Sequence, residues 1–249
     1  MVKIVLTPEW FIGKDILIDV FSFIVLFIFA ILAYMYYKIN KNRSILYLGA
    51  GFGLIALAQL AVILTKLVLY YDIGPTQEIG QAIITSQIVS SVDFFYYAGF
   101  FFQKLFTLLG LYIIYRLPRE RKSVGDYALG IYFIFISAFL SKEFFYLFHL
   151  TALFLLILIV ENYWRIYKEN KFFNTKILIV AFSLLALSQL IFVLSTIEIL
   201  FVLGNTIELI SYTIFLALII RIWKHGKEKK SHGHNIRYVG NSSGKRRQH

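Results

Sequence analysis

The chain has 249 residues, of which 59% are hydrophobic, a mean hydropathy of +0.73 and a formal charge of +11. That is too apolar for a soluble domain and points to a membrane protein. Cysteine is absent, which excludes disulfides, thiol chemistry and cysteine-ligated metals or clusters.

About 20 apolar residues are needed to cross ~30 Å of hydrocarbon as a helix. The start has no apolar run long enough for a signal peptide before charge returns at Glu9, Lys14 and Asp15, so the first span is expected to be retained. Spans follow at 16–37 and 44–67, the second carrying Gly49-x-x-x-Gly53, a small-residue spacing that allows close helix contact. The segment 70–92 is an insert of about 25 residues, with a Gly74-Pro75 turn and then apolar residues at Ile79, Ile83, Ile84, Ile88 and Val92. It reads as an interfacial helix over the outer face, either a lid or a packed surface loop. Further spans lie at 94–115, 125–141 (the shortest), 144–164, 175–196 and 200–222, with a hairpin at Ser141, Lys142 and Glu143 between the fourth and fifth. Residues 225–249 form a polar, basic tail expected to be disordered.

A segment recurs 130 residues later without a gap. Tyr37, Lys38, Asn40 and Lys41 return as Tyr167, Lys168, Asn170 and Lys171, and Phe52, Leu54, Ala56, Leu57, Gln59 and Leu60 return as Phe182, Leu184, Ala186, Leu187, Gln189 and Leu190. Across 37–64, twelve of twenty-eight positions are identical. The third and seventh spans match at an offset of 105, pairing Gly99 with Gly204, Gln103 with Glu208 and Arg116 with Arg221. Two related halves are therefore expected.

Basic loops favour the cytoplasm. With the N-terminus outside, inner segments hold 20 of the 25 Lys and Arg and 5 of the 14 Asp and Glu, whereas outer segments hold 4 basic and 8 acidic residues. The charge is thus an orientation signal first. The expected fold is an all-α integral membrane protein with seven transmembrane helices in a 3+1+3 arrangement of two parallel tandem repeats. Its membrane domain covers 1–224, with repeat one at about 16–116, a linker helix at about 125–141 and repeat two at about 144–224. The 225–249 tail is cytoplasmic.

This layout resembles that of SWEET sugar transporters and PQ-loop proteins, as architecture over all seven spans. The resemblance implies solute transport. Pro8, Pro75 and Pro118 all lie outside the spans, so the helix prolines that serve those families as hinges have no counterpart and no family residue carries over. Microbial rhodopsins share the size and span number, but 202–222 holds no lysine for a retinal Schiff base.

Ionisable groups inside a bilayer mark functional positions by default. Lys104 and Glu208 lie well inside their spans, 12 residues before Arg116 and 13 before Arg221, or roughly 18–20 Å from the inner boundary at ~1.5 Å per residue. A buried ion pair between them is expected to link the halves. Asn205, Ser211 and Tyr212 share a side with Glu208, and Asp93, Tyr97, Phe100 and Thr107 share one with Lys104. The paired amides Gln59 and Gln189 suit a central site for a small polar solute, or plain helix packing. His149 is the lone histidine within a span, which excludes bis-histidine haem there; it is expected to hydrogen-bond a neighbour. No nucleophile–base pair, phosphate-cradling loop or carboxylate cluster appears, so no catalytic residue, cofactor or metal is assigned. His225, His232 and His234 are too loosely spaced for a metal site.

In the tail, Lys229, Lys230, Arg237, Lys245, Arg246 and Arg247 suit anionic lipid head groups at ~1 kcal/mol each, or docking of a cytoplasmic protein or RNA. Three functions follow. The first is non-enzymatic small-solute transport or binding at Gln59, Gln189, Lys104 and Glu208 in a multi-pass cell-membrane protein. The second is a receptor or sensor acting through a separate partner. The third is an anchor recruiting a protein, ribosome or RNA through the tail.

Overall fold

The computed structural model describes residues 8–11, 13–41, 43–71, 83–117, 124–195 and 197–243. After a short 3-10 turn at Glu9–Phe11 come α1 (Lys14–Asn40), α2 (Arg43–Tyr71), α3 (Ile83–Arg116), α4 (Val124–Leu140), α5 (Phe145–Asn170), α6 (Phe173–Leu194) and α7 (Glu198–Ser243). No strand occurs among the described residues. All except α4 are long and apolar enough to cross a membrane, six in number. At 17 residues α4 spans only about 25 Å at the helical rise, short of the ~30 Å core. Large apolar side chains such as Phe27, Ile31, Phe154 and Ile157 face outward, which only a lipid solvent makes favourable. The chain is a helical, multi-pass membrane protein.

Hydroxyls survive in these helices by bonding their own backbone. Ser22, Thr65, Thr151, Thr206 and Thr213 each donate to the carbonyl four residues earlier, at 2.7–2.9 Å.

Two turns are alike. α1 ends at Lys41 with φ 53°, its N–H donating to the Tyr37 carbonyl at 2.8 Å; α5 ends at Lys171 with φ 50°, donating to the Tyr167 carbonyl at 2.8 Å. A left-handed cap on lysine rather than glycine is uncommon, and here it occurs twice, 130 residues apart. One turn before each cap a lysine covers an aromatic face, Lys38 on Tyr34 and Lys168 on Trp164. At the same end of the molecule Arg116 covers Tyr112 and Arg221 covers Phe173.

Neighbours pack as α1 on α2, α2 on α3, α5 on α6 and α6 on α7, and the two sets meet where α3 touches α5 and α7 touches α1. These six helices close a ring. α4 lies against α3 and α5 only lightly. Small residues set the closest crossings. Gly49 of the GxxxG pair faces Ala33 and the Ala30 carbonyl of α1. A Cβ on Gly51 would sit 2.9 Å from the Gly110 carbonyl, and one on Gly110 would sit 2.6 Å from the Gly51 carbonyl. Gly110→Ala is therefore expected to push α2 and α3 apart and cost about 1–3 kcal/mol despite alanine's better helix propensity. A thermal melt in detergent micelles checks it; an unchanged or raised midpoint would mean that the crossing is looser than described.

Two expectations change. The residues Ile83, Ile84, Ile88 and Val92 belong to α3 itself, which runs unbroken for 34 residues, so they are not a separate interfacial helix. A polar stretch does not interrupt a helix when nothing in it breaks the backbone pattern; Gly74, Pro75 and Ile79 lie outside the described residues. The tail expected to be disordered is helical as far as Ser243, continuing α7, and this takes in Lys229, Lys230 and Arg237. Lys245, Arg246 and Arg247 lie outside the described residues.

Candidate functional site

The ring encloses a cavity of about 1180 Å³. Its floor is aromatic. Phe52 and Phe182, at equivalent places in the two halves, stack at 6.2 Å, and each meets Phe215 edge-on at 5.3 and 5.1 Å. Phe29 closes on Phe52 at 4.2 Å. Phe52, Phe182 and Phe215 are almost wholly buried, so they seal the cavity on the side of Lys41 and Lys171. Toward the other end the lining reaches the exposed residues Tyr97, Lys142 and Glu143.

Gln59, Gln189, Lys104 and Glu208 all line this cavity, as do Asn205, Tyr212, Tyr97, Phe100 and Thr107. Ser211 turns away and donates to the Ala181 carbonyl of α6 at 2.8 Å, a helix-packing bond. The Asp93 side chain lies outside the described residues.

Lys104 and Glu208 do not form the expected ion pair. The Lys104 ammonium donates to the Ser141 carbonyl at 2.9 Å, and Glu208 accepts from the Tyr212 hydroxyl at 3.0 Å. Equal depth on two helices says nothing about which way each side chain points around its axis. Ser141 ends α4, where free carbonyls and the helix dipole favour a cation, so Lys104 ties α4 to the ring. Gln59 faces the Tyr212 hydroxyl from α2, extending that pair into a short polar chain. On the other side His149 Nδ1 lies 2.7 Å from Gln189 Oε1; the amide oxygen accepts, so Nδ1 carries the proton.

The ion cluster that does form went unassigned in the sequence. Lys66 reaches Asp15 at 2.8 Å and Asp19 at 2.6 Å. The Asp15 side chain is 0% exposed and Lys66 15%; Asp15 also accepts from the Gly13 N–H at 3.0 Å. The signal was available. Asp15 and Asp19 lie one turn apart, 26 and 22 residues before Lys41, and Lys66 lies 25 after it. Folding α1 on α2 about that turn brings the three to one level.

Repeat-equivalent positions carry polar groups around the cavity. At the offset of 130, Asp19 corresponds to His149 and Gln59 to Gln189; at 105, Gln103 corresponds to Glu208 and Thr107 to Tyr212. All eight line it. The described residues hold no group of three or more His, Cys, Asp or Glu placed for a metal.

No family model matches the chain, and no curated protein or solved structure matches it either. The architectural resemblance to SWEET and PQ-loop proteins therefore gains no support from these comparisons.

Proposed function

We propose that this is a non-enzymatic solute-handling protein of the cell membrane, a permease or a binding protein, with its ligand in the cavity between two duplicated halves. The reading takes α1–α3 and α5–α7 as the repeats and α4 as a linker spanning with them, in a 3+1+3 order. The N-terminus is outside and the C-terminus cytoplasmic, as the basic residues favour. The repeated Lys41 and Lys171 caps support the duplication, as do the reciprocal contacts of α3 with α5 and α7 with α1.

One observation carries the proposal. Both halves contribute polar side chains from equivalent positions to one cavity, inside a bilayer-sized bundle where such groups cost free energy unless they are used. Site-forming pairs at a repeat interface near the bilayer midplane are what transporters built from repeats use. The aromatic floor suits such a role by closing one end while the other stays open.

The test is a thermal-shift screen of the purified protein against sugars, amino acids, ions, lipids and retinoids. A ligand-specific rise in melting temperature in wild type, lost in Gln189→Leu and weakened in Glu208→Gln, is the expected result. A shift that persists unchanged in both variants would remove the ligand from the cavity.

A sensor is the second reading, favoured by α7. This one helix carries Asn205, Glu208 and Tyr212 at the cavity and runs on to Ser243, linking site and tail without a break. The tail would then meet anionic lipid, a cytoplasmic protein or RNA, as an anchor's would. Deleting residues 225–249 separates the readings. Solute handling predicts unchanged ligand binding and flux, whereas a sensor or anchor loses its output.

A further inference from the structure

We infer that the ligand is a long-chain amphipathic anion, its head held by Lys104 and Gln189 and its chain reaching the cavity from the bilayer between α3 and α4. The inference rests on the solute-handling reading and narrows its ligand.

Size and surface argue first. At about 1180 Å³ the cavity exceeds the roughly 300–1,000 Å³ usual for small-molecule pockets. Its wall around α3, α4, α5 and α6 is dominated by rings, among them Phe100, Phe101, Phe145, Phe148 and Phe192. A small hydrophilic solute would leave most of that wall without a partner, while an apolar chain fills it.

Hydrogen-bond demand argues second. The acids already have donors, since Asp15 and Asp19 share Lys66 and Glu208 takes Tyr212. Lys104 has three protons and gives one to the Ser141 carbonyl; no carboxylate stands within ion-pair distance of it among the described residues. Gln189 uses its oxygen on His149, which leaves its amide protons for the cavity. The unmet need is for an acceptor carrying negative charge, and a carboxylate or phosphate supplies it.

The route argues third. Phe102, Phe135 and Phe139 line the cavity and yet are 46%, 52% and 66% exposed on α3 and α4. The wall is therefore open sideways, at the seam where α4 is held lightly and by Lys104. A chain entering there slides from lipid to aromatic wall without passing through water, and its head arrives at the Lys104–Ser141 contact.

The experiment uses the full chain in phosphatidylcholine nanodiscs and reads binding by native mass spectrometry. The probes are palmitate, hexadecyl phosphate, methyl palmitate and hexadecyltrimethylammonium. At least one anion is expected to bind saturably, with the ester and the ammonium weaker by about tenfold or more, the loss expected when a charge-assisted hydrogen bond goes. Lys104→Met loses the same factor and Lys104→Arg keeps most of the affinity. Preference for palmitate points to free fatty acids and preference for hexadecyl phosphate to phospholipid-derived chains; either supports the inference. Should Lys104→Met not fold, palmitate against its methyl ester on wild type decides. Equal binding of the two, or full affinity in a folded Lys104→Met, overturns it. A small polar solute bound while every amphiphile fails overturns it too but leaves solute handling standing. No binding of either class overturns both.

Discussion

Lys66→Met is expected to lower stability by about 3–5 kcal/mol, the cost of leaving a buried charge without its partner. Two carboxylates depend on this one ammonium, at 2.8 and 2.6 Å, and the Asp15 side chain has no exposure through which water could replace it. Methionine keeps the length and apolar stem, so packing between α1 and α2 is preserved and the charge alone is lost. Neutralising the acids as well, in Asp15→Asn/Asp19→Asn/Lys66→Met, removes the stranded charges and should return most of the loss. Unfolding with SDS from mixed micelles measures both. A single mutant as stable as wild type would mean that the triad is solvated, and a triple mutant no better than the single would assign the loss to packing.

Phe182→Ala is the second large effect. Phe182 is fully buried and meets Phe52, Phe215 and Tyr163. Truncating such a ring leaves a void that neighbours on fixed helices fill poorly, at a cost of about 3–5 kcal/mol. In a bilayer this packing is the principal force between helices, because lipid is as apolar as the side chains. Phe52→Ala, at the equivalent position, should cost a comparable amount. The pair should be less than additive, since each ring is part of the other's contact surface. Melting temperatures of the two singles and the double in detergent check this. Strict additivity would show that the rings do not act as one floor, and a shift of a degree or less in either single would show that the floor is loosely packed.

The helices were legible because apolar length is the dominant signal in a membrane chain. Ser141, Lys142 and Glu143 were enough to divide one apolar stretch into α4 and α5, and the shortest expected span is the one helix too short to count as a candidate crossing. Ions deep in a span stand out, so Lys104 and Glu208 were found; their partners were not. Depth along an axis is countable from sequence, whereas the angle around it depends on how the ring closes, and the two residues took Ser141 and Tyr212 instead. Asp15, Asp19 and Lys66 were missed for the opposite reason. They lie near span ends, where charge is ordinarily explained by the interface, and only the register of the α1–α2 hairpin reveals the cluster. The long start of α3 was hidden because Thr85, Ser86, Gln87, Ser90 and Ser91 read as surface, although none of them stops a helix. The breadth of the aromatic wall was also unforeseen, since it needs five helices to assemble.

The most direct test of a cavity shared by two equivalent halves uses the absence of native cysteine. Gln59→Cys and Gln189→Cys, each as the lone thiol, would be treated in sealed vesicles with a membrane-impermeant maleimide from either side. Ile114→Cys and Leu218→Cys, buried outside the cavity, serve as controls. A common cavity open at the Lys66 and Lys142 end predicts that both glutamine positions react from that side and that the controls do not. Reaction from opposite sides, or at only one of the two glutamine positions, would contradict it.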